Sequence, residues 1–194
     1  KLPYVTSKRA HEVQEAARRS VASLRGEFAG TLVEELVTQL RTHQMAENRL
    51  RKLLIEAYQA LPVSAHVQVQ TIVGIGAQTA AALVAKIVSI DRFDTPGKLV
   101  NYFGFFPEES SSGVDKQGRP LPPGTLCMSR KGNDLVRGLL WMAAKSAVVH
   151  NPAIRALYRR QRALGKRGDV ALGHCARKLL HLVYAVWKTN RPFN

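Results

Sequence analysis

Gln70-Thr71-Ile72-Val73-Gly74-Ile75-Gly76-Ala77-Gln78-Thr79-Ala80-Ala81-Ala82-Leu83 decides how the chain is read. An apolar pair, a Gly-Ile-Gly turn and a run of small helix formers predict a helix-hairpin-helix over residues 66–90. Gly74 and Gly76 permit a tight turn and let the backbone approach a ligand. The turn leaves free N–H groups at the start of the Ala-rich helix, where a phosphate can sit on the positive helix end. Gln78 and Thr79 stand near that same phosphate. A dinucleotide-binding fingerprint is excluded, because a third glycine and a preceding strand are missing. A plain helical connection without a ligand fits the same residues.

Upstream, Leu61-Pro62 breaks a long helical pattern over Lys8–Gln59, which lacks proline and is rich in Ala, Leu, Glu, Arg and Gln. Phe28, Leu32, Leu36 and Leu40 form one stripe, with Val33 and Val37 beside it, and Leu50, Leu53, Leu54 and Ala57 resume it. Gly26 and Gly30 interrupt the pattern and are candidates for a kink or a close helix crossing. Such a stripe cannot bury itself, so it needs a partner, either in its own bundle or in a second subunit. Residues 1–62 therefore read as a helical coiled-coil or oligomerisation arm, and 63–194 as a separate domain.

Downstream, Asp91-Arg92-Phe93-Asp94-Thr95-Pro96-Gly97 reads as a turn and N-cap into the helix Lys98–Tyr102. A loop over 104–128 carries four of the nine prolines. Helical patterns follow over Asn133–His150, Pro152–Leu164 and about Asp169–Lys188, with Asn133 or Asp134 as N-cap of the first. The fold class is mainly α: a long helical arm, then a compact helical domain containing the helix-hairpin-helix.

The 194 residues carry 29 Lys and Arg against 14 Asp and Glu, a formal net charge of +15. Residues 1–97 hold 12 basic and 9 acidic side chains, whereas 98–194 hold 17 and 5. No Asp or Glu lies between Leu135 and Gly168, while Arg137, Lys145, Arg155, Arg159, Arg160, Arg162, Lys166 and Arg167 all do. A one-signed run of this length repels itself unless a polyanion binds it, although a solvated helix face is the plainer reading. With 45% hydrophobic residues the chain is not intrinsically disordered, and no apolar run approaches the roughly 18–20 residues of a membrane span. Two cysteines, Cys127 and Cys175, fit a reducing cytoplasm rather than a disulfide framework. The scattered histidines and carboxylates, including Glu34-Glu35, Glu108-Glu109, Asp91 and Asp94, show no pattern that would hold a metal. The first residue is Lys1 rather than Met, and the chain reads as part of something longer.

Cys127-Met128-Ser129-Arg130-Lys131-Gly132-Asn133 joins the loop to a helix, with a hydroxyl directly before two cations. Those cations and the helix end would stabilise an alkoxide and a phosphoryl transition state. By chemistry alone, a serine that caps a helix or touches a phosphate is the stronger reading.

Five blocks in order resemble one family: Val73-Gly74-Ile75-Gly76; Phe93 through Lys98-Leu99-Val100-Asn101-Tyr102-Phe103-Gly104; Ser112-Gly113; Ser129-Arg130-Lys131-Gly132-Asn133-Asp134-Leu135-Val136-Arg137; and His150-Asn151-Pro152-Ala153-Ile154-Arg155 through Tyr158. They are similar to the insertion-sequence one-hundred-and-ten transposase family, which includes Piv-type DNA invertases and bridge-RNA-guided recombinases. The resemblance covers about 65–190. It implies a transposase or site-specific recombinase whose serine nucleophile falls at Ser129 and forms a phosphoserine intermediate. It also implies a dimer or tetramer, for some members a guide RNA, and a partner RuvC-like domain with an acidic tetrad for Mg2+, which this chain lacks. This part alone is then expected to bind nucleic acid without recombining it, in the bacterial cytoplasm at the nucleoid. The expected nucleic-acid contacts are Gly74, Gly76, Gln78, Thr79, Arg130, Lys131, Asn133, Arg137, Arg155, Arg159, Arg160, Arg162, Lys166 and Arg167. The alternatives are a non-catalytic helix-hairpin-helix module and a helical scaffold whose basic face meets RNA or acidic protein.

Overall fold

Helices form where apolar side chains recur at three- and four-residue steps, and the observed elements follow that periodicity. The structure, a computed structural model, describes residues 7–18, 27–109, 117–119, 126–129 and 131–194. Backbone contacts divide the chain into two units, Lys1–Leu50 and Arg51–Asn194. Helix α1 spans Ser7–Arg18 and α2 spans Glu27–Gln59. The helix expected over Lys8–Gln59 is thus seen as two described stretches, and Gly26 lies outside them. A Cβ added at Gly30 would meet nothing within 4 Å among the described residues of this chain. Leu32, Leu36 and Leu40 are 44, 56 and 55% exposed, which leaves the stripe of the first unit uncovered.

In the second unit a 3-10 turn over Ala65–Thr71 leads through Gly74 into α3, Ala77–Ile87. A second short 3-10 turn, Ile90–Arg92, precedes α4, Pro96–Tyr102. Thr95 caps α4 by accepting from the Lys98 N–H at 3.3 Å, and Pro96 occupies the first turn, where its missing N–H costs nothing. Strands β1 (Pro107–Glu109) and β2 (Leu126–Met128) pair antiparallel with Glu108 opposite Cys127. This ribbon is absent from the sequence reading, because three-residue strands are too short to show a period and their pairing is non-local. Helices α5 (Asp134–His150), α6 (Pro152–Ala163) and α7 (Gly168–Thr189) complete the unit.

The core sits on α7. Ala171, Cys175, Leu179, Leu180 and Val183 are fully buried along it, and α4, α5, α6 and the 65–71 turn all pack against it. Each buried leucine or valine contributes about 1.5–3 kcal/mol relative to exposure. His66 is buried between Tyr58 and Trp187, with ring centroids 5.6 and 6.3 Å away, and its ring contacts the Ser64 hydroxyl. Burial pushes its pKa below the usual histidine value, which makes it a neutral core residue.

The glycines of the expected hairpin motif differ in what holds them. Gly74 has φ +108, and a Cβ there would stand 2.6 Å from the Ala147 Cβ, so α5 and the turn touch through it. The adjoining Val73 carbonyl accepts from the Asn151 side-chain amide at 3.2 Å. Asn151 is fully buried, and its own oxygen caps α6 by accepting from the Ala153 and Ile154 N–H groups. Gly76, by contrast, is the N-cap of α3 with nothing within 4 Å of an added Cβ. Gly74→Ala is therefore expected to lower the unfolding free energy by about 2 kcal/mol, whereas Gly76→Ser changes it by less than about 0.5 kcal/mol. Urea denaturation of the two variants checks this contrast.

Candidate functional site

Ser129 follows β2, and its N–H donates to the Phe106 carbonyl at 3.0 Å, continuing the ribbon by one residue. The serine is 2% exposed. Its Oγ accepts from the Lys131 N–H at 3.2 Å, and the hydroxyl is near enough to the Glu108 carboxylate to help lower that carboxyl's pKa. The exposed Lys131 ammonium is paired with Glu108 Oε1. The Lys131 ammonium first, and the Ser129 hydroxyl next, hold the Glu108 carboxyl below the usual glutamate range. An ionised carboxylate, a hydroxyl and an ammonium thus share one contact set at the junction of the ribbon and α5.

Glu108 is the residue that sequence reading misses. Beside Glu109 it looks like half of an unremarkable acidic pair, and only the β1–β2 register brings it to Ser129. The signal exists nowhere in the local sequence, since Glu108 and Lys131 are 23 residues apart.

The loop carrying Ser129 is fixed from below by a backbone crossing. Gly104 has φ +74, and any Cβ there would overlap the Lys131 carbonyl oxygen. Gly132, with φ +113, faces the Phe103 carbonyl carbon at 2.8 Å from an added Cβ. Arg137 donates to the same Lys131 carbonyl at 3.1 Å and pairs with Asp134. Asn133 caps α5 by accepting from the Val136 N–H at 3.0 Å. Lys131, Asn133 and Arg137 are thereby gathered around Ser129, two of them as supports of the backbone. Arg130 lies outside the described residues.

The other expected contact residues fall into two kinds. Arg155 donates Nε to the Val148 carbonyl at 3.2 Å and bonds the Val149 carbonyl, so it ties down the end of α5. Arg162 donates to the Lys166 carbonyl at 2.7 Å, and Arg167 pairs with Asp169 at 2.8 Å. Lys166 Nζ stands 3.0 Å from His174 Nε2. Arg159 and Arg160 are exposed and have no partner among the described residues. At α3, Gln78 is half-buried and Thr79 is buried.

Other reactive groups are accounted for by the core. Burial pushes the Cys175 thiol up to about 11, and its Sγ faces the Ile154 carbonyl at 3.8 Å. Burial also lowers His174 and His181, helped by neighbouring cations. Among the described residues no group of three or more His, Cys, Asp or Glu could hold a metal ion. No helix among them is long and apolar enough to cross a membrane.

A basic helical domain with a buried serine beside a carboxylate–ammonium pair at a strand–helix junction is the class that fold and site define. Residues 66–159 of it match the family model described as "Transposase IS116/IS110/IS902 family". The matched stretch holds Glu108, Ser129 and Lys131. The chain is also 31% identical over 133 residues to the "Insertion element IS110 uncharacterized 43.6 kDa protein" of Streptomyces coelicolor, an alignment covering 69% of this chain and 30% of that protein. The chain thus spans about a third of the length of the curated relative it matches, and residues 66–159 are similar to a transposase domain of that family.

The backbone crossing makes a stability prediction. Gly104→Ala forces both an unfavourable φ and a steric overlap, and is expected to cost about 2–3 kcal/mol in thermal or urea unfolding. Arg155→Ala is expected to cost about 1–2 kcal/mol by the same assay, whereas Arg159→Ala stays within about 0.5 kcal/mol.

Proposed function

We propose that this chain is the DNA-binding and serine-bearing part of an insertion-element transposase, with Ser129 as the nucleophile for strand cleavage. The observation that carries the reading is the Glu108–Ser129–Lys131 contact set inside the stretch similar to the transposase domain. On this reading the neighbouring Glu108 carboxylate, kept ionised by its lowered pKa, takes the hydroxyl proton as the Ser129 oxygen attacks phosphorus. The new Oγ–P bond forms as a strand P–O bond breaks, leaving a phosphoserine link. The Lys131 ammonium and the N-terminal end of α5 then face the charge that develops on the phosphate oxygens. The acidic residues that hold Mg2+ belong, on this reading, to a RuvC-like domain outside these 194 residues.

Binding is proposed to run over Lys131 and the unpaired Arg159 and Arg160, with the N-terminal end of α3 at Gly76 and Gln78 as a phosphate seat of helix-hairpin-helix type. A guide RNA is a second polyanion that the same surface would accept. The uncovered Leu32, Leu36 and Leu40 stripe supports pairing of two or more copies through α2. A second reading, a non-catalytic nucleic-acid-binding module, is favoured by one observation: Ser129 is buried with its hydroxyl already engaged.

Two experiments separate these readings. In a full-length transposase carrying this domain, Ser129→Ala is expected to abolish recombination and the covalent protein–DNA adduct while DNA affinity stays within about twofold. Retained recombination would sink the nucleophile assignment. Glu108 is charged above its lowered pKa, so cleavage by the unaltered protein should persist to pH values below the ordinary glutamate range and fall only beneath them. Glu108→Gln should depress the rate at every pH and remove that acid limb. For binding, the Arg159→Gln, Arg160→Gln double variant should flatten log K against log salt by about 0.9 per lost phosphate contact. An unchanged slope would remove these arginines from the interface.

A further inference from the structure

Beside the Ser129 loop lies a cavity of about 310 Å³. One wall is Phe105, Phe106, Pro107 and Met128, contributed by the approach to β1 and by the end of β2. The opposite wall is the first two turns of α7, where Val170 and the buried Gly173 present no polar group, with Lys166, His174 and Arg177 completing the lining. The volume is at the lower end for small-ligand pockets, enough for one ring system rather than an extended molecule.

Its chemistry is divided. The interior is aromatic and aliphatic, and the polar lining is cationic or imidazole. Lys166 has His174 as its neighbour, with Nζ 3.0 Å from Nε2, and Arg177 has no acidic partner among the described residues. The nearest carboxylate in sequence, Asp169, is already paired with Arg167. An apolar slot flanked by uncompensated cations fits a flat base with a phosphate attached to it. The surplus of positive charge over residues 98–194 favours that occupant over an apolar peptide segment.

Position ties the cavity to the serine. Met128 precedes Ser129, and Phe106 accepts the Ser129 N–H at 3.0 Å, so two wall residues are the covalent and hydrogen-bonded neighbours of the proposed nucleophile. Met128 is 41% exposed, and a Cβ on Gly173 would stand 2.7 Å from its terminal methyl. The absence of a side chain at Gly173 therefore lets the Met128 thioether lie against α7, as a flexible wall that can re-pack around a guest.

We propose that this cavity receives a single nucleotide swung out of the stack of the strand bound at Ser129, its base against Phe105, Phe106 and Met128 and its phosphate on Lys166 and Arg177. The inference rests on the nucleic-acid-binding reading above. An extrahelical nucleotide would mark the strand position where Ser129 meets the backbone, a geometry that a continuous duplex does not offer.

The test uses the 194-residue chain and two fluorescent DNA probes, a 20-base-pair duplex and the same duplex with one unpaired thymidine. The expected result is about tenfold tighter binding of the bulged probe, the size of one stacked base. Val170→Trp, which fills the slot from its half-exposed rim, should abolish that preference while leaving intact-duplex affinity and the circular dichroism spectrum unchanged. Arg177→Gln should reduce the preference without filling the slot. Equal binding of both probes, with normal salt dependence, would overturn the pocket and leave the DNA-binding reading standing. Binding of neither probe would overturn both. A bulge preference that survives Val170→Trp, or a Val170→Trp variant altered only in its oligomeric state, would assign the cavity to something other than a nucleotide.

Discussion

The second unit depends on the burial of α7. Four separate elements, α4, α5, α6 and the 65–71 turn, pack against this one helix and use its surface to bury apolar faces. Ala171, Cys175, Leu179, Leu180 and Val183 supply it, and the small residues Ala171, Gly173 and Ala176 let neighbours come close. Because α7 is covered by so many elements, a charged or polar substitution on that face is felt throughout the unit. The same packing explains why Cys175 is inert: a thiol in this environment loses its anion before it can act as a ligand or nucleophile.

On that base the site is placed by backbone geometry rather than by side-chain reach. Gly104 and Gly132 let two chain segments approach more closely than any Cβ allows, and the Lys131 carbonyl that fills the gap is then gripped by Arg137. The ribbon does the complementary job from the other side, setting Glu108 against the serine. The result is a buried hydroxyl beside a carboxylate–ammonium pair whose members lie more than twenty residues apart in the chain.

The positive charge also acquires structure. Arg155, Arg162 and Arg167 spend their donors on carbonyls or on Asp169, whereas Arg159 and Arg160 keep theirs outward. A run that reads as uniformly basic therefore splits into residues that build the α5–α6–α7 corner and residues left exposed. Gly74 and Gly76 divide in the same way, one consumed by contact with Ala147 and one facing open space.

The sequence by itself determined the helices and their ends. Apolar periodicity and the Thr95-Pro96 and Asn151-Pro152 pairs are local signals, and local hydrogen bonding obeys them: α5, α6 and α7 begin within a residue of the positions expected, while α4 begins at Pro96, two residues before the expected Lys98. It also marked Ser129-Arg130-Lys131-Gly132-Asn133 as the place where chemistry could sit. Only the tertiary structure decided which residues share that place. The β1–β2 pairing, the partnership of Glu108 with Ser129, the role of Gly74 and the slot beside Met128 all arise from contacts between distant segments. Such contacts are settled by burial and steric fit across the whole core, and no window of sequence contains both sides of them.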